Sequence, residues 1–187
     1  KIHSKDKYQD EVDFLVRNEA RNRFLKNLAL SLNGNTLLLY QFVEKHGKPL
    51  FTEIKNAIDN TVEKDRPVFF VSGEVDGTAR EIRAIVEKED NAIIVASFGT
   101  FSTGVNIKRL HNIIFSSPSK SRIRVLQSIG RGLRKGDNKE SATLFDIADN
   151  LQWKSKLNFT LQHFAERIKM YNEEKFKYKI YKVALKE

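Results

Sequence analysis

The sequence contains no cysteine, which excludes disulfide bonds and thiolate metal sites, and with them a secreted scaffold held together by disulfides. No apolar run approaches the roughly 18 residues that a membrane-spanning helix requires, so we expect no membrane association. The first residues, Lys1 to Asp6, contain no apolar core of a signal peptide. His3, His46, His111 and His163 are scattered without the spacing of metal ligands, which predicts no metal site.

The chain is long enough for one domain, or for one domain with a small appendage, because it has 187 residues of which 40% are hydrophobic. It does not begin with Met, and we expect it to be a piece of a longer protein. The net charge is +9 and is unevenly distributed, since residues 108–135 contain eight basic residues and no acidic one. A one-sign stretch within a folded domain indicates a nearby polyanion, either nucleic acid or nucleotide phosphate.

Short, continuously apolar segments alternate with helical patterns along most of the chain. Continuous apolar segments are typical of strands buried on both faces of a parallel sheet, and the alternation predicts an α/β domain with helices on both sides. The predicted helices are 10–32, 49–58, one opening at 76, 122–133 and 155–171, and the predicted strands are 36–40, 67–71, 92–96, 112–115 and 142–146.

We divide the sequence into a helical lead-in at 1–35, a main α/β domain at 36–150 and a C-terminal extension at 151–187. The extension ends in a segment, Phe176 to Val183, in which aromatic or apolar residues alternate with lysine. This period of two predicts a half-exposed strand with a basic face. Such lysines either protect the edge of a sheet or contact nucleic acid, and the sequence leaves both interpretations open.

Loops that follow the strands are the expected place for ligands, because open parallel sheets bind them at the carboxyl ends of their strands. The loop from Ser97 to Asn106 combines hydroxyl side chains with two glycines. Small residues let backbone N–H groups approach a phosphate, and hydroxyls add further donors. By itself this composition is also common in loops without such a role.

A predicted helix near residue 130 carries the clearest chemical signal. Arg131 and Arg134 are three residues apart and share one helix face with Gln127. Two guanidinium groups and an amide on one face can hold phosphate oxygens. Gly130 and Gly132 are unfavourable within a helix, which indicates close approach of another backbone or of a ligand.

These residues resemble known motifs. The pattern Gln127-x-x-Gly130-Arg131-x-x-Arg134-x-Gly136 resembles motif VI of superfamily 2 helicases, and Ser97 to Asn106 resembles their motif V. Thr36 to Phe42 is similar to the motif IV strand, and Val71-Ser72-Gly73, with the later Arg80, Glu81 and Arg83, to the segment after it. Asn106 stands where many members have Asp. The resemblance implies the second, C-terminal RecA-like domain of a DNA helicase, a three-layer αβα fold with a mostly parallel sheet.

The resemblance also implies roles by position. Arg134 and Arg131 would stabilise the γ-phosphate of ATP in a partner domain, and Gln127 would position nucleotide or water. Residues of the nucleotide cleft would be Gly104, Asn106 and Gly130. Contacts to the DNA backbone would come from Ser72, Gly73, Ser97, Thr100 and Thr103.

Two helicase motifs are missing from the sequence, the Gly-x-x-x-x-Gly-Lys-[Ser/Thr] loop and the Asp-Glu-x-[His/Asp] box. The resemblance therefore implies that ATP and Mg²⁺ are bound mainly by an N-terminal RecA-like domain in cis, and that this chain alone is inactive. It further implies an intracellular protein that acts on branched, single-stranded or double-stranded DNA.

Three alternatives remain open from the sequence. The chain could be a nucleic-acid-binding module with no role in ATP hydrolysis, or the equivalent domain of a DNA translocase that does not unwind duplexes. A purely structural α/β protein is the third, but it leaves the shared face of Gln127, Arg131 and Arg134 without an explanation.

Overall fold

The computed structural model describes residues 4–62, 65–73, 75–101, 108–117 and 142–186. The predicted helix at 122–133 lies outside these ranges. The helices are α1 (Ser4–Arg17), α2 (Glu19–Ser31), α3 (Lys48–Asp59), α4 (Val75–Lys88) and α5 (Phe159–Glu173), with a π-helical turn at Val43–Gly47 and a 3₁₀ turn at Phe98–Phe101. The strands are β1 (Thr36–Tyr40), β2 (Val68–Val71), β3 (Ile93–Ser97), β4 (Asn112–Phe115) and β5 (Thr143–Asp146).

The five strands form one parallel sheet in the order β2-β3-β1-β4-β5. In the centre, Leu38 of β1 is level with Val95 of β3 on one side and with Ile114 of β4 on the other. Every residue of β1 is buried, as expected for a continuously apolar strand that is covered on both faces. The predicted α/β class and all five predicted strands are confirmed.

Helices cover both faces of the sheet and create two apolar layers. Successive side chains of a strand point to opposite faces, so Leu37 and Leu39 of β1 join one layer, and Leu38 and Tyr40 join the other. The first layer is closed by α4 and α5, through Ile82 and Tyr171 among others. The second is closed by α2 and α3. This is the predicted three-layer αβα arrangement, and no helix within the described ranges is both long and apolar enough to cross a membrane.

The N-terminal region contains two helices where the apolar period predicts one helix from 10 to 32. The interruption is at Asn18, whose extended backbone and side chain cap α2, with Oδ1 accepting a hydrogen bond from the N–H of Arg21 at 2.8 Å. Asparagine is among the preferred residues at this position because its short side chain satisfies a free N–H of the first turn. The single-helix prediction is therefore wrong in this respect.

Two buried ion pairs attach helices to the end of β5. Arg167 of α5 donates to both carboxylate oxygens of Asp146, at 2.7 and 2.9 Å, and the Tyr171 hydroxyl donates to the same group at 2.5 Å. Arg21 of α2 makes the same two-pronged contact with Asp149, at 2.7 and 3.0 Å. Removing one partner of such a pair would leave an uncompensated buried charge, which typically costs about 3–5 kcal/mol.

The C-terminal extension is only partly as predicted. Its helix is confirmed, although it begins at Phe159 rather than at Ser155. The strand predicted at Phe176–Val183 is wrong, because these residues belong to no strand and pair with none of the described ones. After α5 the chain turns at Lys175, whose φ is 57°, and Phe176 packs against the first apolar layer. The alternation of the segment supplies the side chains of a strand, but a strand also needs a ladder partner.

The first turn of α5 is capped from another helix. The carboxylate of Glu11 in α1 accepts hydrogen bonds from the N–H groups of Phe159 and Thr160, at 2.9 and 2.8 Å, and from the side chain of Asn158 at 2.7 Å. Burial raises the pKa of Glu11, but these hydrogen bonds lower it by more, so the pKa lies below its ordinary value of 4.5. Glu11 thereby attaches α1 to α5.

We predict that Glu11→Gln lowers the free energy of unfolding by about 1–2 kcal/mol at pH 7, because an ionised acceptor of several hydrogen bonds becomes neutral. The folded-state pKa lies below the unfolded one, so this contribution is present above pH 4.5 and is lost as the pH falls. Urea unfolding from pH 7 to pH 3.5 should show the difference between the two proteins shrinking. Glu53→Gln, an exposed position on α3, is the control and should change stability by less than about 0.5 kcal/mol.

Candidate functional site

The carboxyl ends of all five strands lie at one edge of the sheet because every pairing is parallel. From β1 the chain crosses to β2, at one end of the strand order, and from β4 it continues to β5, at the other end. Loops that leave neighbouring strands in opposite directions open a crevice between them, which is where α/β sheets bind ligands. The order of the strands therefore predicts a ligand site beyond the ends of β1 and β4.

Three of the residues predicted to contact DNA lie together at this edge. Val71 of β2 is level with Ala96 of β3, so the next residues, Ser72 and Ser97, are neighbours across the two strand ends. Ser72 and Gly73 are exposed, and Ser97 is half-buried, with its Oγ accepting a hydrogen bond from the Gly99 N–H at 3.3 Å. The sheet thus presents two hydroxyls and a glycine side by side.

The loop after β3 is anchored by an aromatic contact. Phe98 is buried, and its ring centroid lies 5.4 Å from that of Phe115 at the end of β4. Thr100 follows in the same 3₁₀ turn, at the carboxyl edge, and only its backbone position is described. The anchor fixes the start of the segment that resembles motif V.

The remaining predicted residues lie outside the described ranges. They are Thr103, Gly104, Asn106, Gln127, Gly130, Arg131 and Arg134. Their assigned roles stay predictions from the sequence.

Tyr40 joins the ends of β1 and β2 across β3, which lies between them. Its hydroxyl donates to the Val71 carbonyl at 3.3 Å, and its ring stacks on Phe70 with centroids 5.6 Å apart. Burial raises the pKa of Tyr40 to about 12, so the hydroxyl keeps its proton as a donor at neutral pH. A Cβ on Gly47 would lie 2.7 Å from the ring, so this glycine provides the space that the tyrosine occupies.

A buried chain of hydrogen bonds crosses the same edge, beside the predicted crevice. Ser117, just after β4, accepts from the Gln41 N–H at 2.9 Å and pairs with His46 Nδ1 at 3.0 Å. His46 Nε2 pairs with Asn22 Oδ1 at 3.0 Å, and the Asn22 amide nitrogen donates to the Val16 carbonyl at 3.0 Å.

The partners at the two ends determine the direction of this chain. Because the Asn22 nitrogen donates to a carbonyl, its oxygen faces His46 and accepts from Nε2–H. His46 Nδ1 then accepts from the hydroxyl of Ser117. A neutral imidazole satisfies this arrangement completely, so the histidine has a structural role here: it links α2 and the start of α3 to the loop after β4.

No local pattern in the sequence indicates this chain of hydrogen bonds. Its members are separated by 24 and 71 positions, and single Asn, His and Ser residues follow no motif. Ser117 is the last described residue after β4, and the sequence that contains Gln127 and Arg131 follows it, so the chain of hydrogen bonds holds the described end of β4 in place.

Within the ranges that the structure describes, no group of three or more His, Asp or Glu residues could hold a metal ion.

The sequence is 38% identical to the ATP-dependent DNA helicase uvsW of Enterobacteria phage T4, over 185 residues that cover 91% of this chain and 35% of that protein. The crystal structure of T4 UvsW superimposes with a TM-score of 0.70 at 35% identity, again covering 89% of this chain and 35% of that one. No family model matches the sequence. This chain therefore corresponds to about a third of the length of the helicase, and the resemblance to helicases is confirmed.

A further solved structure, of the C-terminal part of the Fun30 ATPase domain, matches with a TM-score of 0.48 at 14% identity, covering 84% of this chain and 55% of that one. This likeness is too low to bear on the fold or the site.

We predict that Ser117→Ala lowers the free energy of unfolding by about 1–3 kcal/mol, because the part-buried Gln41 N–H and the buried His46 Nδ1 both lose their hydrogen bond to the Ser117 hydroxyl. Ser116→Ala is the matched control. Ser116 is equally buried, and its hydroxyl donates to the Leu39 carbonyl at 2.5 Å. When this hydroxyl is removed, the carbonyl still accepts the hydrogen bond from the Ser116 N–H, at 3.1 Å. Thermal and urea unfolding should rank Ser117→Ala as the more destabilised, and equal losses would contradict a specific role for the chain of hydrogen bonds.

Proposed function

Because the chain is homologous to part of a DNA helicase, we propose that it is the C-terminal motor half of an ATP-dependent helicase of superfamily 2. In this proposal it supplies arginine fingers to ATP bound by an N-terminal RecA-like domain, and the two halves together translocate on branched DNA and remodel it. The observation that carries the proposal is the 38% identity to T4 UvsW along nearly the whole of this chain.

The arginine assignment is supported by the position of motif VI in the sequence. Arg131 and Arg134 lie between β4 and β5, and the crevice expected from the strand order opens beside β4. Guanidinium groups that reach a γ-phosphate stabilise the charge that develops on its oxygens during transfer. Gln127 would position the nucleotide or the attacking water, and Gly104, Asn106 and Gly130 would line the cleft.

ATP and Mg²⁺ are assigned mainly to the N-terminal domain. Magnesium is held by one or two carboxylates together with phosphate oxygens and water. Within the described ranges, no group of three or more His, Asp or Glu residues could hold a metal ion, and the sequence has no Asp-Glu-x-[His/Asp] box. The contribution proposed for this chain is positive charge and orientation at the nucleotide.

The DNA assignment rests on the edge formed by β2 and β3. The hydroxyls of Ser72 and Ser97 and the backbone at Gly73 are donors of the kind that bind phosphate oxygens without reading sequence. Gly73 has a φ of 155°, which residues with a side chain rarely adopt, so a side chain here would be strained. Thr100 and Thr103 would extend the same line of donors.

Two other functions would share these features. A nucleic-acid-binding module would use the DNA edge without the arginines, and a translocase that does not unwind would use both. DNA-stimulated ATP hydrolysis separates the first from our proposal, and strand separation on forked DNA separates the second.

We predict that this chain alone hydrolyses ATP at a negligible rate and that the complete protein shows DNA-stimulated hydrolysis. In the complete protein, Arg134→Ala should lower kcat by about 10³-fold or more, as the loss of an arginine finger does. Arg23→Ala, an exposed arginine on α2, is the control and should leave kcat unchanged. A near-normal rate for Arg134→Ala, with DNA binding intact, would refute the assignment of Arg134 and favour the binding module.

We predict that Ser72→Ala combined with Ser97→Ala weakens binding of a duplex or single-stranded oligonucleotide by roughly 10-fold or more, because hydrogen bonds from these hydroxyls to ionised phosphate oxygens are lost. The dependence of affinity on salt should not change, because a hydroxyl neutralises no phosphate and releases no counterion. Ser31→Ala, at the end of α2 on the opposite edge, is the control. Fluorescence anisotropy at several salt concentrations measures the affinity and its dependence on salt. If the double variant binds with unaltered affinity, the hydroxyls of Ser72 and Ser97 do not contact the DNA.

A further inference from the structure

The chain contains one tryptophan, and its side chain is exposed. Trp153 retains 76% of its accessible surface, in a short turn between β5 and α5. Leaving so large an apolar ring in water forgoes the stabilisation that its burial would provide. Exposed tryptophans of this kind are typical of binding surfaces, where a rigid ring contributes much of the affinity.

The turn that carries Trp153 is held by internal hydrogen bonds. Trp153 and Lys156 exchange a pair of backbone hydrogen bonds at 3.2 and 3.0 Å, which close a two-residue turn. The side chain of Gln152 donates to the Lys154 carbonyl at 2.8 Å. The ring is therefore presented by a defined backbone.

The base of the turn is attached to the body of the domain at the carboxyl edge. The Leu151 N–H donates to Asn158 Oδ1 at 3.0 Å, and the Asn158 amide donates to the Asp149 carbonyl at 3.1 Å. Asp149 is in turn held by Arg21. Since β5 ends at Asp146, the turn follows the end of this strand, at the edge of the sheet that also carries Ser72 and Ser97.

The charged residues of the turn itself are two lysines. Lys154 and Lys156 flank the turn, both exposed, and no acidic residue occurs from Asn150 to Ala165. Lys154 has a φ of 55°, a torsion that glycine adopts without strain and lysine does not. A charged side chain therefore stands at the position of the turn where glycine would be conformationally easier.

We propose that the turn at residues 151–157 binds single-stranded DNA, with a base stacked on Trp153 and the neighbouring phosphates beside Lys154 and Lys156. An aromatic ring between cations is the combination by which proteins bind single strands without sequence preference. The two lysines favour a nucleic acid over a protein partner whose surface carries charges of both signs. This inference rests on the proposed action on DNA, and adds to it a contact for an unpaired base outside the helicase motifs.

The single tryptophan makes the contact directly measurable. A stacked base quenches indole fluorescence, so titrating this chain with oligothymidylate should quench the Trp153 emission saturably, and more at low salt. Duplex DNA of the same length should quench it much less, because its bases are already stacked. Anisotropy of a labelled oligothymidylate reports total binding in the same samples.

Four variants separate stacking from other contacts. Trp153→Ala should weaken oligothymidylate binding by roughly 10-fold, and Trp153→Leu should do nearly the same, because a leucine lacks the flat ring. Trp153→Phe should retain most of the affinity. Lys154→Gly should keep the turn and reduce the slope of log affinity against log salt by about 0.7, the contribution of one phosphate contact to a single strand. Circular dichroism should show all four variants folded, since both positions are exposed.

Each contrary result has a distinct meaning. If the anisotropy shows no binding to any DNA, the proposed DNA function fails together with this inference. If DNA binds but the tryptophan emission and the Trp153→Ala affinity are unchanged, only this inference is overturned. Self-association that is abolished by Trp153→Ala, with DNA affinity intact, would assign the ring to a protein interface and overturn it too.

Discussion

The pairing of β1 with β3 on one side and β4 on the other decides where function can reside in this molecule. A central strand needs apolar residues on both faces, and β1 meets this requirement with five buried residues in succession. In the sheet, β2 and β3 lie on one side of β1, and β4 and β5 lie on the other. The connection from β1 to β2 and the connection from β4 to β5 therefore run in opposite directions along the strand order. The crevice at the carboxyl edge is thus a prediction from the strand order, and that order places β1, the strand buried at every position, in the centre.

The electrostatics of that edge follow from its internal ion pairs. Asp146 is the last residue of β5 and Asp149 follows it, where free carboxylates would repel phosphate, but Arg167 and Arg21 neutralise them within the protein. Lys154 and Lys156 are exposed in the turn that follows. The buried pairs therefore do two things: they attach α2 and α5 to the sheet, and they neutralise the two carboxylates nearest to the end of β5.

The sequence predicted the elements whose signal is local, and it failed where the determining contact is distant. Apolar runs identified all five strands, and the apolar period identified α3, α4 and α5. The interruption at Asn18 was missed because the residues around it keep the period of a single helix, and the capping geometry appears only with the backbone. The strand predicted at Phe176 failed for the opposite reason, since its pattern is local but its partner would have to come from elsewhere. At the carboxyl edge, Ser72 and Ser97 are candidate site residues through a resemblance, whereas the buried His46 and Ser117, joined over 71 positions, follow no motif.

These distant contacts have a common purpose if the chain is a motor domain without its own phosphate-binding loop. A group that acts on ATP held by another domain is effective only when its position is exact, since small displacements of catalytic groups are costly. At this edge each loop has its own attachment: Tyr40 holds the end of β2, the chain through His46 holds the loop after β4, and Arg21 holds the segment after β5. All three are buried polar contacts, which specify one arrangement because leaving any member unpaired is unfavourable. Apolar packing tolerates small shifts of position, whereas hydrogen-bonded pairs specify one arrangement. Polar contacts are therefore expected where the loops must be held in exact positions.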